Sequence, residues 1–343
     1  MIRQTADSME FVSDLYDIAT GNPEARRTTD PEVAAGLVAD ETRDRLTAIF
    51  DRHPGDASVL LSGGVDSILV AAAAASLGVK PRAFTVVTDH STDGTSAAAA
   101  AAALGLPHTV VRLTRDDVAA LAAEVVERLG TAELWEVTAA IPVLAAARNG
   151  AADGGGAILT GSGADAIFAG GRTLGQPVDS PGAVREMDRV IRGESSANFT
   201  HHRLVPHFYP ALLGADARRL MHVFQTVRFW RLAETLAPPA LFGDHDKLCL
   251  RIACERLLPG PHRSLAWQRK HAIQRSSGLM EALAEAARGY AARLPGAKTY
   301  SDPAGEPFDA IATRLYLHIL SGARGPVQKH GGEDDPEEEH RDR

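Results

Sequence analysis

Short apolar runs recur through the first half of the chain at residues 59–61, 82–88, 108–112 and 157–160, bounded by Gly, Pro, Asp or Ser, and they predict four β-strands. Longer stretches with helical spacing separate them. The first covers residues 31–52, with Asp30 as N-cap ahead of Pro31 and apolar positions at Val33, Leu37, Val38, Leu46, Ile49 and Phe50. Others run from Ile68 to Gly78, over the alanine-rich 96–104 closed by Gly105, over 116–129, and over 134–149 up to Gly150. Regular alternation of strand and helix puts the chain in the α/β class: a parallel-stranded sheet flanked by helices, binding its ligands beyond the carboxyl ends of the strands.

From about residue 172 the strand signals fade. Helical patterns at 181–192, 216–236, 246–258 and 278–294 predict an added C-terminal helical layer over the ligand edge of the sheet. The chain thus divides into an N-terminal helical segment (1–56), an α/β core (57–171), a helical continuation that completes the site (172–327) and a tail (328–343). That acidic tail lacks apolar residues and is expected to be disordered.

Composition narrows the function. The 343 residues are 45% hydrophobic and 23% charged, with a formal net charge of −8, which argues against a nucleic-acid partner held through its phosphates. No apolar run reaches the ~18 residues needed to span a bilayer, and the N-terminus lacks a basic-then-apolar signal, so a cytoplasmic protein with no membrane partner is expected. The two cysteines, Cys249 and Cys254, have no metal-binding spacing and read as buried thiols.

Candidate chemistry begins where the first strand ends, at Ser62-Gly-Gly-Val-Asp-Ser67. Small residues between a strand and a helix leave the helix's first N–H groups aimed at one spot, which suits phosphate oxygens. Ser62, Gly63, Gly64 and Ser67 form the expected cradle, with both glycines available for positive φ. Asp66 would repel a polyphosphate unless a cation lay between them, and so predicts Mg²⁺. The absence of a Gly-x4-Gly-Lys-Ser/Thr stretch disfavours γ-phosphate chemistry of the Walker type. At the fourth strand's end, Thr160-Gly-Ser-Gly-Ala-Asp-Ala-Ile-Phe-Ala-Gly-Gly171 repeats the same physics, with Gly161, Ser162 and Gly163 as small residues and Asp165 as a second carboxylate for the metal.

The string Leu61 to Ser67 resembles the pyrophosphate loop of the N-type ATP pyrophosphatases. Together with the second loop, the chain resembles the synthase domain of asparagine synthetase, shared by β-lactam synthetases and lasso-peptide cyclases. Glu133-Leu-Trp-Glu-Val-Thr138 is similar to that family's Glu-Thr-Tyr-Asp-Val-Thr, and Lys247-Leu-Cys-Leu-Arg251, Leu257-Leu-Pro259 and Ala266-Trp-Gln-Arg-Lys270 follow its C-terminal motifs. The resemblance implies an adenine nucleotide alpha hydrolase-like fold and a carboxylate-activating ligase. A substrate carboxylate attacks the α-phosphorus of ATP, pyrophosphate leaves, and an amine displaces AMP. It places pyrophosphate on Ser62, Gly63, Gly64, Asp66 and Ser67, Mg²⁺ on Asp66 and Asp165, adenosine near Val87, Thr88 and Asp93, and the charge-stabilising lysine at Lys270. Glu133 matches a glutamate near the reacting centre; an ordinary first-turn helix residue is its plain alternative.

Two departures stand out. Glutamine-dependent relatives carry a cysteine after the initiator Met and a glutaminase domain, whereas here Ile2 follows Met1 and only 61 residues precede Ser62. Free ammonia, an amine-bearing substrate, or a separate nitrogen-donating or carrier protein is then expected to bring the nitrogen. The position held by Glu in asparagine formers and Tyr in β-lactam formers is Ser162, and the Glu after the Asp is Ala166. Glu194 lies at about the distance of the glutamate that assists that Tyr, but a serine is a poor base, so the nitrogen must need little help and aspartate is a doubtful acid. His201, His202, Arg203 and His207 offer either recognition of a second carboxylate or ordinary surface and packing roles. Two other readings stay open: sulfur or nitrogen transfer to adenylated RNA, and a catalytically relaxed ATP-binding subunit. Neither the acid, the amine nor the oligomeric state is fixed, a homo-oligomer included.

Overall fold

A computed structural model of the chain describes residues 22–91, 93–199, 207–268, 276–293 and 311–322. Five parallel strands form one sheet in the order β3-β2-β1-β4-β5: β1 Asp56–Leu60, β2 Arg82–Val87, β3 His108–Arg112, β4 Gly155–Thr160 and β5 Leu220–His222. The chain winds outward from β1 through β2 to β3, then returns to the other side of β1 for β4 and β5. Connections leave the neighbouring strands β1 and β4 in opposite senses, which opens a crevice at their carboxyl ends. Both candidate loops start there.

Helices cover both faces. On one lie α1 (Pro31–Arg52), α2 (Val65–Ser76), α3 (Asp93–Leu104) and α11 (Leu248–Leu257), with α9 (Val227–Thr235) and α10 (Pro238–Leu241) beside α1. On the other lie α4 (Arg115–Leu129), α5 (Leu134–Ala146), α8 (Phe208–Leu213), α12 (Leu279–Ala291) and α13 (Ile311–Gly322). The short α6 (Ala164–Ile167) follows β4 and packs on α7 (Pro181–Phe199). α2 is buried almost all round, from Ser67 to Ala74, and its alanines let α1 and α11 approach closely. Asp30 caps α1 through a side-chain bond from Glu32 N at 2.8 Å. Val38, Leu46 and Ile49 lie on the buried stripe of α1 as expected, whereas Val33 and Leu37 are exposed and Ala34 and Ala35 take their place.

The second half departs most from expectation. Residues 216–236, expected to be one helix, form a 3₁₀ turn, then β5, then α9 capped by the Thr226 hydroxyl. At three residues β5 is too short to carry a period, and pairing with β4 decides it. The helix expected to reach Asn149 ends at Ala146 and passes into a π turn that closes at Gly150 with φ 96°. α7 runs to Phe199 rather than 192. The segment before α1 is stitched to the helical layer: Arg26 is ion-paired with Asp188 at 2.9 Å and donates to the Ala233 and Leu236 carbonyls. Among the described residues no single helix is long and apolar enough to cross a membrane. The expected acidic tail lies outside the described residues.

Candidate active site

The loop after β1 is held by its own hydroxyls. Ser67 Oγ donates to Gly64 O at 3.0 Å and accepts from Ser62 N at 3.1 Å, and the Ser62 and Ser67 hydroxyls lie 3.1 Å apart. Gly63 takes the left-handed conformation, φ 73°, while Gly64, the N-cap of α2, is extended. No side chain caps α2, so its first-turn N–H groups remain available to an anion in the crevice. The two serine hydroxyls thus fix the loop, and the backbone is the better phosphate cradle.

The loop after β4 presses against the first. A Cβ at position 161 would lie 2.8 Å from both Asp66 C and Ser67 N, so only glycine lets the two strand ends touch. Ser162 N donates to Thr160 Oγ1 at 3.3 Å, and Gly163 leads into α6, which starts with Ala164 and Asp165. The carboxylates of Asp66 and Asp165 converge on one cation, the ammonium of Lys247. Its Nζ lies 2.9 and 2.7 Å from the two Asp66 oxygens and 2.5 Å from Asp165 Oδ1. Burial would push the lysine pKa down, but the two carboxylates outweigh it and hold the group above its ordinary value, fully charged. Asp246 ties the same corner together, accepting from Gly171 N at 2.7 Å and from Arg251 at 2.9 Å; burial raises its pKa, and these donors bring it below the usual carboxylate range.

Val87 and Thr88 close β2 on the other side of the crevice. Leu113 N donates to Val87 O at 2.8 Å; the Thr88 amide and hydroxyl both donate to Ser277 O, at 2.9 and 3.1 Å. Their polar groups are engaged within the protein, and both residues are buried at this end of the strand. Asp93 opens α3. Lys270 lies outside the described residues, but its flanks are anchored at this edge: Arg251 donates to Gln268 O at 3.1 Å, and Ser276 O accepts from Ser91 Oγ at 3.2 Å.

The remaining expected residues are more dispersed. Glu133 is the N-cap of α5. The turn that follows α5 bonds to the first half of β1, through Ser58 Oγ to Ala151 O and Asp56 N to Gly154 O, and a helix of ~20 Å matches the height of a six-residue strand. Glu133 therefore sits toward the carboxyl edge, next to the half-exposed Trp135. Glu194 pairs with Arg172. Ser162 Oγ accepts from Gln225 Nε2 at 3.4 Å, and the buried His222 bonds Thr160 Oγ1 through Nδ1 at 2.6 Å. Lys247, His222 and Gln225 were not anticipated as site residues; only Lys247 had a signal, as the first residue of a quoted motif. His207 precedes α8, and His201, His202 and Arg203 lie outside the described residues.

Residues 52–239 match the sequence model of the family described as asparagine synthase, more than half of the chain. The chain belongs to the asparagine synthase family. Both candidate loops fall inside the match, whereas Lys247, Gln268 and Lys270 lie beyond it. This is an ATP-binding family of ligases that form amide bonds, and the parallel sheet with its crevice between β1 and β4 is the fold expected of it. Among curated proteins none matches the chain. No group of three or more metal-ligating side chains occurs among the described residues. The donors that Asp66 and Asp165 supply nevertheless fit a Mg²⁺ that keeps most of its waters: both are carboxylates, both already converge on a cation, and the Asp165 side chain is 71% exposed.

Proposed function

We propose that the protein is an AMP-forming ligase that adenylates a small-molecule carboxylate with ATP and passes the acyl group to ammonia or an amine-like nitrogen, in a biosynthetic pathway. The observation that carries this reading is the meeting of Asp66 and Asp165 at adjacent strand ends of the crevice, on one ammonium. In the proposed reaction the N–H groups opening α2 hold the departing pyrophosphate, and Val87 and Thr88 wall the adenosine. Asp66 and Asp165 would hold Mg²⁺, which when bound would screen the charge on the phosphates. Lys270, between its two anchored flanks, meets the charge that develops on the phosphate and acyl oxygens.

The nitrogen is proposed to arrive on the side of Ser162 and Gln225. A hydroxyl and a carboxamide can orient it but cannot deprotonate it, which favours ammonia or another nitrogen already basic at neutral pH. A separate protein that supplies the nitrogen or carries the acid is compatible with this layout. The buried thiols support a reducing, cytoplasmic setting: burial pushes Cys249 up to about 12 and raises Cys254 further, so both stay protonated and inert.

The test is to incubate the purified protein with ATP, Mg²⁺ and a panel of carboxylic acids, adding hydroxylamine as a trap. AMP, pyrophosphate and a hydroxamate in equal amounts are expected with the right acid. Formation of ADP and phosphate instead would overturn the reading.

A further inference from the structure

Lys247 holds an unusual position. It and Ala169, with φ 51° and 52°, are the two non-glycine residues at positive φ among those described, and both flank the Asp66–Asp165 pair. Side chains with a Cβ disfavour that conformation, and it persists only where the surroundings impose it. Here they do. Asp246, the residue before Lys247, is clamped by Gly171 N and by Arg251, and the lysine stem runs so close to Gly170 that a Cβ there would collide with Lys247 Cε and Asp165 Oδ1. The Lys247 side chain is 6% exposed, against 21% for Asp66 and 71% for Asp165. Its ammonium is therefore delivered into the gap between the carboxylates by a strained backbone and is held out of water there.

We infer that Lys247 is the protein's own counter-ion for this pair, filling the position a divalent ion would share, so that free metal is not admitted and the metal enters only with the nucleotide. The inference rests on the ligase reading and deepens it. Two carboxylates and one ammonium leave a single net negative charge, too little to draw a strongly hydrated dication out of water, and the ammonium repels it at contact range. A polyphosphate changes the balance from the other side: its oxygens give the ammonium a second partner and free the exposed edge of Asp165. The site would then never hold a metal without its substrate.

Mn²⁺, followed by its electron spin resonance signal, tests this on the full-length protein with no turnover. The wild type is expected to leave Mn²⁺ free in the absence of nucleotide and to take up one equivalent with a non-hydrolysable ATP analogue. Lys247→Met, and Lys247→Gln as a second variant should the first not fold, is expected to bind Mn²⁺ without nucleotide at least about tenfold more tightly than the wild type. Wild-type protein that binds Mn²⁺ alone as tightly as with the analogue would overturn the inference and leave the ligase reading standing. So would a folded variant that gains no affinity. Wild type that binds neither the analogue nor Mn²⁺ in its presence would remove the ligase reading and this inference with it.

Discussion

The two loops at the crevice look alike in sequence and are built differently. The loop after β1 is closed by bonds among residues 62 to 67 and leads into a helix of twelve residues buried over most of its length. The loop after β4 leads into a helix of four residues and depends on distant partners: His222 on Thr160, Gln225 on Ser162, Lys247 on Asp165 and Asp246 on Gly171. The first is closed mainly by its own residues and reaches the helical layer through Asp66 and Lys247. The second takes its shape from the helical layer, so under the ligase reading changes in that layer are expected to act more on the acyl and nitrogen side than on the phosphate side.

Substitutions divide along the same line. Asp66→Asn removes a charge without disturbing the hydroxyl bonds of its loop, but takes from the buried Lys247 ammonium one of its two carboxylates; pyrophosphate release is expected to fall about 10²–10³-fold with a smaller loss of thermal stability, since Asp165 remains, checked by steady-state assay and calorimetry. Gly170→Ala forces a methyl group against Asp165 and Lys247, and is expected to lower both activity and stability, the latter by about 1–3 kcal/mol in denaturant titrations. A Gly170→Ala protein as stable as the wild type would show that the second loop yields more easily than its contacts imply.

Behind the first loop, Thr85 Oγ1 donates to Leu61 O at 2.7 Å and so accepts from His108 Nε2 at 2.8 Å. Burial lowers the His108 pKa. A depressed histidine contributes stability that is complete above its unfolded pKa of about 6.5 and is lost as pH falls through the folded value. Wild type minus His108→Gln, measured at several pH values from about 7.5 downward, is expected to show that slope. Ser162→Ala is expected to have the smallest effect, under about threefold on pyrophosphate release, because it removes one long hydrogen bond on the nitrogen side.

The contiguous features were readable in advance. Strands β1 to β4, the cap at Asp30 and both loops show themselves because their residues adjoin in the chain and obey local rules. β5 did not, because three residues carry no period and the β4 edge imposes the strand. Lys247 lay within a recognised motif, yet nothing local marks a lysine for a left-handed turn, and its role appears only where Asp246 and Gly170 hold it. Gln225 and His222 follow from β5 and were hidden with it.

Lys247 stands 181 residues after Asp66. At ~5–20 residues per second, a ribosome makes it about 10–40 s after the first carboxylate. Through that interval the nascent crevice carries Asp66 and then Asp165 with no cation of its own. A chain stopped before Lys247 would carry both carboxylates without the ammonium that balances them.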